Sequence, residues 1–372
     1  MTADCVGGVW TYAMTLCRAL RERRVDVTLA VTGGEISQEQ RAEAEAVADL
    51  RHKPFKCEWM QPPLADVAAA GEWLEQLAAE TSPDVIHLND FAHGSRGFGG
   101  VRKVVVAHSD VVSWFAHVRH AEPDATWDAY RHAVATGLAG ADAVVALTGH
   151  GADDLACRYA YAGRLEVIAN AVEPDEFISS GREPFILAAG RLWDEAKGLA
   201  ALADAASGCK WPVMLAGDAG HPDGGTASYR NVELLGPLPH DELRKLMRRA
   251  GLFVAVPHYE PFGLSIAEAA AADCPLLLSD IPTLRELWDG AASFVELRGQ
   301  PPAPSQRLGE AINALIDDDE ARRRGSEAAV RRASVFSPER QAEAYLALYH
   351  DLMNRNPPVR PTADIAAAAA PA

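Results

Sequence analysis

Short runs of Val, Ile, Leu and Ala alternate along this chain with longer stretches in which apolar residues return every three or four positions. The runs at 25–31, 85–88, 104–107, 143–147 and 165–168 predict buried strands in the first half, and those at 185–188, 212–216, 252–256 and 275–279 predict them in the second. Between them, the spacing predicts helices over 9–22, 127–138, 198–206, 239–250, 265–272 and 305–316. Strands without polar alternation, separated by amphipathic helices, point to an α/β chain whose parallel sheets are covered on both faces. The start offers only Thr2-Ala3-Asp4 ahead of Gly7-Gly8, so the first strand is expected to be truncated or very short.

The polar, proline-bearing stretch Asn170-Ala171-Val172-Glu173-Pro174-Asp175 interrupts the alternation and reads as a domain boundary. Residues 1–172 then form one domain and 173–337 a second. An amphipathic closing helix follows over 338–353, and the Pro- and Ala-rich residues 354–372 lack a core pattern and are expected to be disordered. The length of 372 residues agrees, since about 150 residues per domain gives about two and a half.

Composition narrows the function classes. A formal charge of −17 argues against a nucleic-acid partner, and membrane contact is expected to be peripheral at most. The six cysteines are scattered, with no C-x-x-C pair, which fits a reduced, cytoplasmic protein without a structural zinc site. No G-x-G-x-x-G follows a strand, and neither a P-loop nor a G-x-S-x-G elbow is present. The acidic run Asp317-Asp318-Asp319-Glu320 reads as a solvated helix end, so no metal site is expected.

Four loops remain as candidate chemistry, each at the carboxyl end of an expected strand, where open α/β sheets bind ligands. In His258-Tyr259-Glu260-Pro261-Phe262-Gly263-Leu264-Ser265, continuing to Glu268, Gly263 allows close backbone approach and the first N–H groups of the following helix can face an anion. Glu260 and Glu268 can accept hydrogen bonds from sugar hydroxyls, although Ser265-x-x-Glu268 also fits a capping box that needs no ligand. In Gly190-Arg191-Leu192-Trp193-Asp194-Glu195-Ala196-Lys197-Gly198, an Arg and a Lys six positions apart can converge on a diphosphate, or be two solvated surface cations. Gly7-Gly8 opens the first helix, and His108 follows the strand at 104–107, where it could meet a ligand between the domains.

Together these residues resemble glycosyltransferase family 4 (GT4; glycosyl transferases group 1), a family of retaining enzymes with the GT-B fold. The resemblance runs through Gly7-Gly8-Val9-Trp10, His108, Asn170-Ala171-Val172, Gly190-Arg191-Leu192 with Lys197-Gly198, Leu234-Leu235-Gly236 and the block from Glu260 to Glu268. It implies two Rossmann-like doubly wound domains facing across a cleft, with the last helix crossing back to the first domain. It also implies a nucleotide-diphosphate sugar donor, UDP- or GDP-linked, and an unidentified hydroxyl acceptor, with no cofactor or metal. By the same resemblance Arg191, Lys197, Gly7 and Gly8 would surround the diphosphate, and Glu268 would hold the ribose. The turn of Gly236 and Leu238 would lie near the base. Glu260, with the backbone of Phe262, Gly263, Leu264 and Ser265, would hold the transferred sugar, and His108 would stand beside it, making His108 and Glu260 the candidate catalytic pair. Two departures stand out: Ala171 where the family commonly has Gly, and the abbreviated first strand. They keep two alternatives open: a sugar-nucleotide or glycan-binding protein of the same fold without turnover, and a related phosphorylase or epimerase.

Overall fold

The computed structural model describes residues 1–60, 64–174, 181–221, 224–299 and 302–355. The first half carries strands β1 (Thr2–Asp4), β2 (Thr28–Thr32), β3 (Asp49–His52), β4 (Val85–Leu88), β5 (Arg102–Ala107), β6 (Ala143–Ala146) and β7 (Leu165–Val167). The second carries β8 (Glu183–Ala189), β9 (Val213–Ala216), β10 (Glu233–Gly236), β11 (Ala250–Ala255), β12 (Leu276–Ser279) and β13 (Ser293–Val295). Ladders between these strands are parallel throughout, and the central strands are sealed on both faces: Val104, Val105, Val106, Leu252, Phe253 and Val254 are all buried. That double burial is why the strands read as unbroken apolar runs.

The C-terminal sheet runs β10-β9-β8-β11-β12-β13, an order that reverses direction between β8 and β11 and opens a crevice at their carboxyl ends. The N-terminal domain repeats the plan in two pieces, β3-β2-β1 and β4-β5-β6-β7. Thr2-Ala3-Asp4 does form a short strand, and among the described residues its ladder is with β2 alone. Side chains close the seam instead: the Asn89 N–H donates to the Thr2 hydroxyl (2.8 Å), the Asn89 amide to the Thr2 carbonyl (2.7 Å), and the Thr2 hydroxyl to Asp90 (2.9 Å).

The last helix, Pro338–Asn354, starts on the Ser337 cap and lies against helix Gly8–Glu22 of the N-terminal domain. Its Tyr349 hydroxyl meets His87 Nδ1 at 2.5 Å, while Tyr12 reaches the other ring nitrogen at 3.1 Å. The helix ends at Asn354, one residue beyond its expected limit, and the rest of the tail expected to be disordered, from residue 356 on, lies outside the described residues. Two features add to the sequence reading. The strands β3, β10 and β13 lack a long apolar run because they lie at or next to sheet edges, where Asp49, Arg51, Glu233 and Leu234 stay exposed or half-exposed. The acidic run is an exposed helix end, as expected, and the start of the next helix as well: Asp317 closes helix Pro304–Asp317 and Asp318 caps helix Asp319–Ala333 through the Ala321 N–H.

Candidate functional site

A cavity of about 860 Å³ lies between the domains, at the carboxyl ends of β1, β4 and β5 on one side and of β8 and β11 on the other. On the C-terminal side its wall begins with the loop after β8. Gly190 (φ 153°) and Gly217 (φ 144°) pack backbone on backbone, a Cβ on Gly217 falling 1.8 Å from the Gly190 carbonyl. Only glycine permits that approach. Gly198 (φ 66°) is similarly enforced, since a Cβ there would stand 2.1 Å from the Val256 carbonyl.

These constraints aim Arg191 and Lys197 into the cavity. The buried Asp194 organises the loop. It accepts from the Ala196 N–H (3.0 Å), from Arg191 Nη2 (2.7 Å) and, across the cleft, from Trp114 Nε1 (3.1 Å). Burial alone would raise its carboxyl, but the Arg191 guanidinium and these donors hold it below the usual carboxylate range. Lys197 Nζ pairs with Glu260 at 2.6 Å, and Glu260 is itself fixed by the Thr283 hydroxyl on its backbone carbonyl (2.7 Å). Neither cation is therefore a freely solvated surface charge. Each is half-buried against a carboxylate, with charge positioned for an anionic ligand.

Gly263 (φ 85°) caps helix Leu264–Ala271 with its carbonyl alone, and Ser265 and Glu268 make no capping box. Ser265 lies inside the first turn and reaches the Ala189 carbonyl (3.4 Å), while Glu268 accepts from His240 Nε2 (3.1 Å). Ile266 and Ala267 donate to the Gly263 carbonyl, so the N–H groups of Leu264 and Ser265 stay outside the helical ladder at the cavity wall. Glu268 in turn raises the pKa of His240, chiefly through that hydrogen bond.

Opposite stands the N-terminal wall. Gly7 (φ 74°) faces Arg191 and Gly8 faces Leu264, each close enough that an added Cβ would stand 3.4 Å from the other side. His108 Nε2 lies 2.9 Å from Asn89 Oδ1, and because the Asn89 amide nitrogen is committed to Thr2, that oxygen faces the imidazole. The bond assigns the proton to Nε2 and leaves Nδ1 as an acceptor. Burial, with the Tyr12 ring edge-on at 4.5 Å, pushes the His108 pKa down to about 3, so the ring is neutral. Deeper in this wall His93 meets Asp90 at 2.6 Å. Burial opposes its charge, but Asp90 raises its pKa to about 9.

The structure thus brings together Gly7, Gly8, His108, Arg191, Lys197 and Glu260, and with them Phe262, Gly263, Leu264, Ser265 and Glu268. Leu238 also lines the cavity, but Gly236 does not. It ends β10, where its carbonyl accepts from the Gly217 N–H, and its positive φ turns the chain toward Leu238. Sequence reasoning missed Asp194 and Asn89. Arg-x-x-Asp spacing on a short loop was the available signal for the first, and position directly after the strand at 85–88 for the second. Trp114 carried no signal, because its partner sits 80 residues away. Among the described residues no group of three or more His, Cys, Asp or Glu side chains is arranged to hold a metal ion, and no helix is long and apolar enough to cross a membrane.

Residues 6–176 match the model of Glycosyltransferase Family 4 and residues 173–332 that of Glycosyl transferases group 1. Glycogen synthase of Mycobacterium tuberculosis is 36% identical over 121 residues, 32% of this chain and 28% of that protein. The D-inositol 3-phosphate glycosyltransferase of Corynebacterium kroppenstedtii is 33% identical over 138 residues, 37% of this chain and 30% of its own. The matched stretch therefore spans under a third of either relative. Among solved structures, sucrose-phosphate synthase from Thermosynechococcus elongatus superposes with a TM-score of 0.74 at 18% identity, covering 93% of this chain and 94% of its own. Anabaena HepE in complex with UDP and glucose gives 0.69 at 18%, covering 93% and 96%. At such identity these two structures speak to the fold, which is GT-B.

Proposed function

The chain belongs to the family 4 glycosyltransferases of GT-B fold, and from that membership we propose that it moves a sugar from a nucleotide-diphosphate sugar to an acceptor hydroxyl, with retention at the anomeric carbon and without a metal. The observation that carries this reading is the convergence of Arg191, Lys197, the Gly7-Gly8 backbone and the N–H groups of Leu264 and Ser265 on one cavity. A departing diphosphate gains one further negative charge as its bond to the sugar breaks. Fixed cations and a helix N-terminus meet that charge without reorganising. The bond from the anomeric carbon to the phosphate oxygen breaks, the acceptor oxygen attacks from the same face, and the acceptor proton passes to a phosphate oxygen. No side-chain nucleophile is needed. Glu260, paired with Lys197, and neutral His108 are then hydrogen-bond partners of the transferred sugar, and Glu268 takes the ribose. The nucleotide complex of HepE and the glycosyltransferase relatives support a nucleotide-sugar donor.

The test is donor consumption. Wild-type protein incubated with UDP- and GDP-linked sugars should release the nucleoside diphosphate, and Lys197→Ala should lose that activity while keeping its melting temperature. A folded wild type that consumes none of the donors and is stabilised by no nucleoside diphosphate contradicts the proposal.

A further inference from the structure

One stretch of the N-terminal cavity wall offers rings rather than polar atoms. Trp114, Phe115, Trp127 and Tyr130 follow one another along it, each edge-on to the next, with centroids 5.3, 6.2 and 5.7 Å apart. Trp114, Phe115 and Trp127 are only half-buried. The backbone beneath them is unusual as well. Helix Val111–Trp114 continues through Phe115–Arg119 as a π turn, and none of the residues of that turn is buried. Such turns are rare and recur at functional sites. Phe115, the first of them, is left half-exposed in the cavity wall, a surface that gains by being covered.

The polar groups beside this strip are engaged with one another. Trp114 Nε1 donates to Asp194 (3.1 Å), Arg119 pairs with Glu195 (2.7 Å), and the Tyr130 hydroxyl accepts from the Val111 N–H (3.2 Å). Asp110 accepts from the Ser113 N–H (2.9 Å) and the Tyr159 hydroxyl (2.7 Å). Glu58, whose charge is felt at Tyr130, takes the N–H groups of Phe91 (2.9 Å) and Ala92 (2.7 Å). A polyol laid along these rings would give up hydrogen bonds to water and find few replacements. An apolar body gives up none. Just ahead of the strip in the chain stand His108 and the exposed Ser109, which line the same cavity and can receive a hydroxyl.

Taking the cavity as a glycosyltransferase site, we propose that the acceptor hydroxyl is carried on an apolar, ring-bearing molecule, whose body lies on Phe115 and Trp127 while its hydroxyl faces His108. The Arg119 guanidinium already lies over the Trp114 ring, at 5.7 Å, so Phe115 and Trp127 are the rings left to take it. A bare sugar acceptor would leave this strip uncovered.

The experiment is a calorimetric titration of the full chain, saturated with UDP or GDP, using 4-methylumbelliferone, a fused-ring hydroxyl compound, and glucose as probes. The account expects saturable one-to-one binding of 4-methylumbelliferone, at least about tenfold tighter than that of glucose. Phe115→Ala and Trp127→Ala should each weaken it about fivefold with melting temperature and nucleotide binding retained, and Trp127→Phe, which keeps a ring, should recover most of the loss. Glucose binding as tightly as 4-methylumbelliferone, no saturable binding of the latter to nucleotide-saturated protein, or binding that neither alanine substitution weakens overturns the proposal. Failure of UDP and GDP themselves to bind instead brings down the glycosyltransferase reading on which it rests, and the proposal with it.

Discussion

At the scale of single residues, the site depends on a few side chains whose partners fix their chemistry. Asp194 presents Arg191 as a planar fork, which a lysine cannot reproduce. Arg191→Lys is expected to lower kcat/KM by about 10²-fold, the loss of one positioned donor to a developing anion, measured as nucleotide release at limiting donor. Gly198 is fixed by its positive φ and by the Val256 carbonyl. Gly198→Ala should destabilise the protein by at least about 1 kcal/mol in urea unfolding and displace Lys197 with it. Titration of buried histidines gives stability a defined pH window. His93, raised to about 9 by Asp90, contributes stability that is complete below its unfolded value near 6.5 and is lost as pH climbs through 9. His108, lowered to about 3, works in the other direction, because the unfolded chain takes up a proton below about 6.5 that the folded chain refuses. Thermal melts should therefore peak near pH 6.5, and His93→Gln should flatten the alkaline side, removing on the order of 2–3 kcal/mol of pH-dependent stability. A wild-type profile flat from pH 6.5 to 9 would contradict the His93–Asp90 assignment.

At the scale of elements, contacts between helices and loops hold the two domains in register across the cleft. Glu286, on helix Pro282–Trp288, accepts from the N–H groups of Gly149 (2.7 Å) and His150 (2.9 Å), so a carboxylate from one domain caps helix Gly149–Tyr159 of the other. Trp114–Asp194 and Arg119–Glu195 span the cleft on the cavity side. Glu286→Ala is expected to cost about 1 kcal/mol and to enlarge the radius of gyration seen by small-angle X-ray scattering; an unchanged radius would show that the remaining bridges suffice. Much at this scale was legible beforehand. The strand at 85–88 and the helix that starts beside Gly8 follow directly from apolar spacing, because burial on both faces or on one stripe writes itself into local sequence. Edge strands such as β3 did not show, since half-exposed strands carry polar residues. The domain-crossing bridges did not show either, since Glu286 and Gly149 are 137 positions apart and nothing local marks either as a partner.

At the scale of the whole molecule, a strongly acidic chain and an anion-binding role are reconciled locally, by Arg191 and Lys197 held on the C-terminal wall of the cavity. Both stand among carboxylates, Arg191 paired with Asp194 and Lys197 with Glu260, and the net charge of −17 does not describe that pocket. Candidate site residues were recoverable from sequence because the doubly wound fold puts ligands at strand ends, so loops 190–198 and 258–268 could be found by position. The charge pairs of the cavity were not recoverable, since Arg119 and Glu195, or Lys197 and Glu260, meet only in the folded chain. The central claim is that this cavity binds a nucleoside diphosphate through Arg191 and Lys197. Isothermal titration calorimetry with UDP and GDP addresses it directly. The account predicts saturable one-to-one binding of at least one of the two, weakened at least about tenfold by Lys197→Ala and again by Arg191→Ala, and reduced by salt. Absence of binding to the folded wild type, or binding that neither substitution weakens, would contradict it.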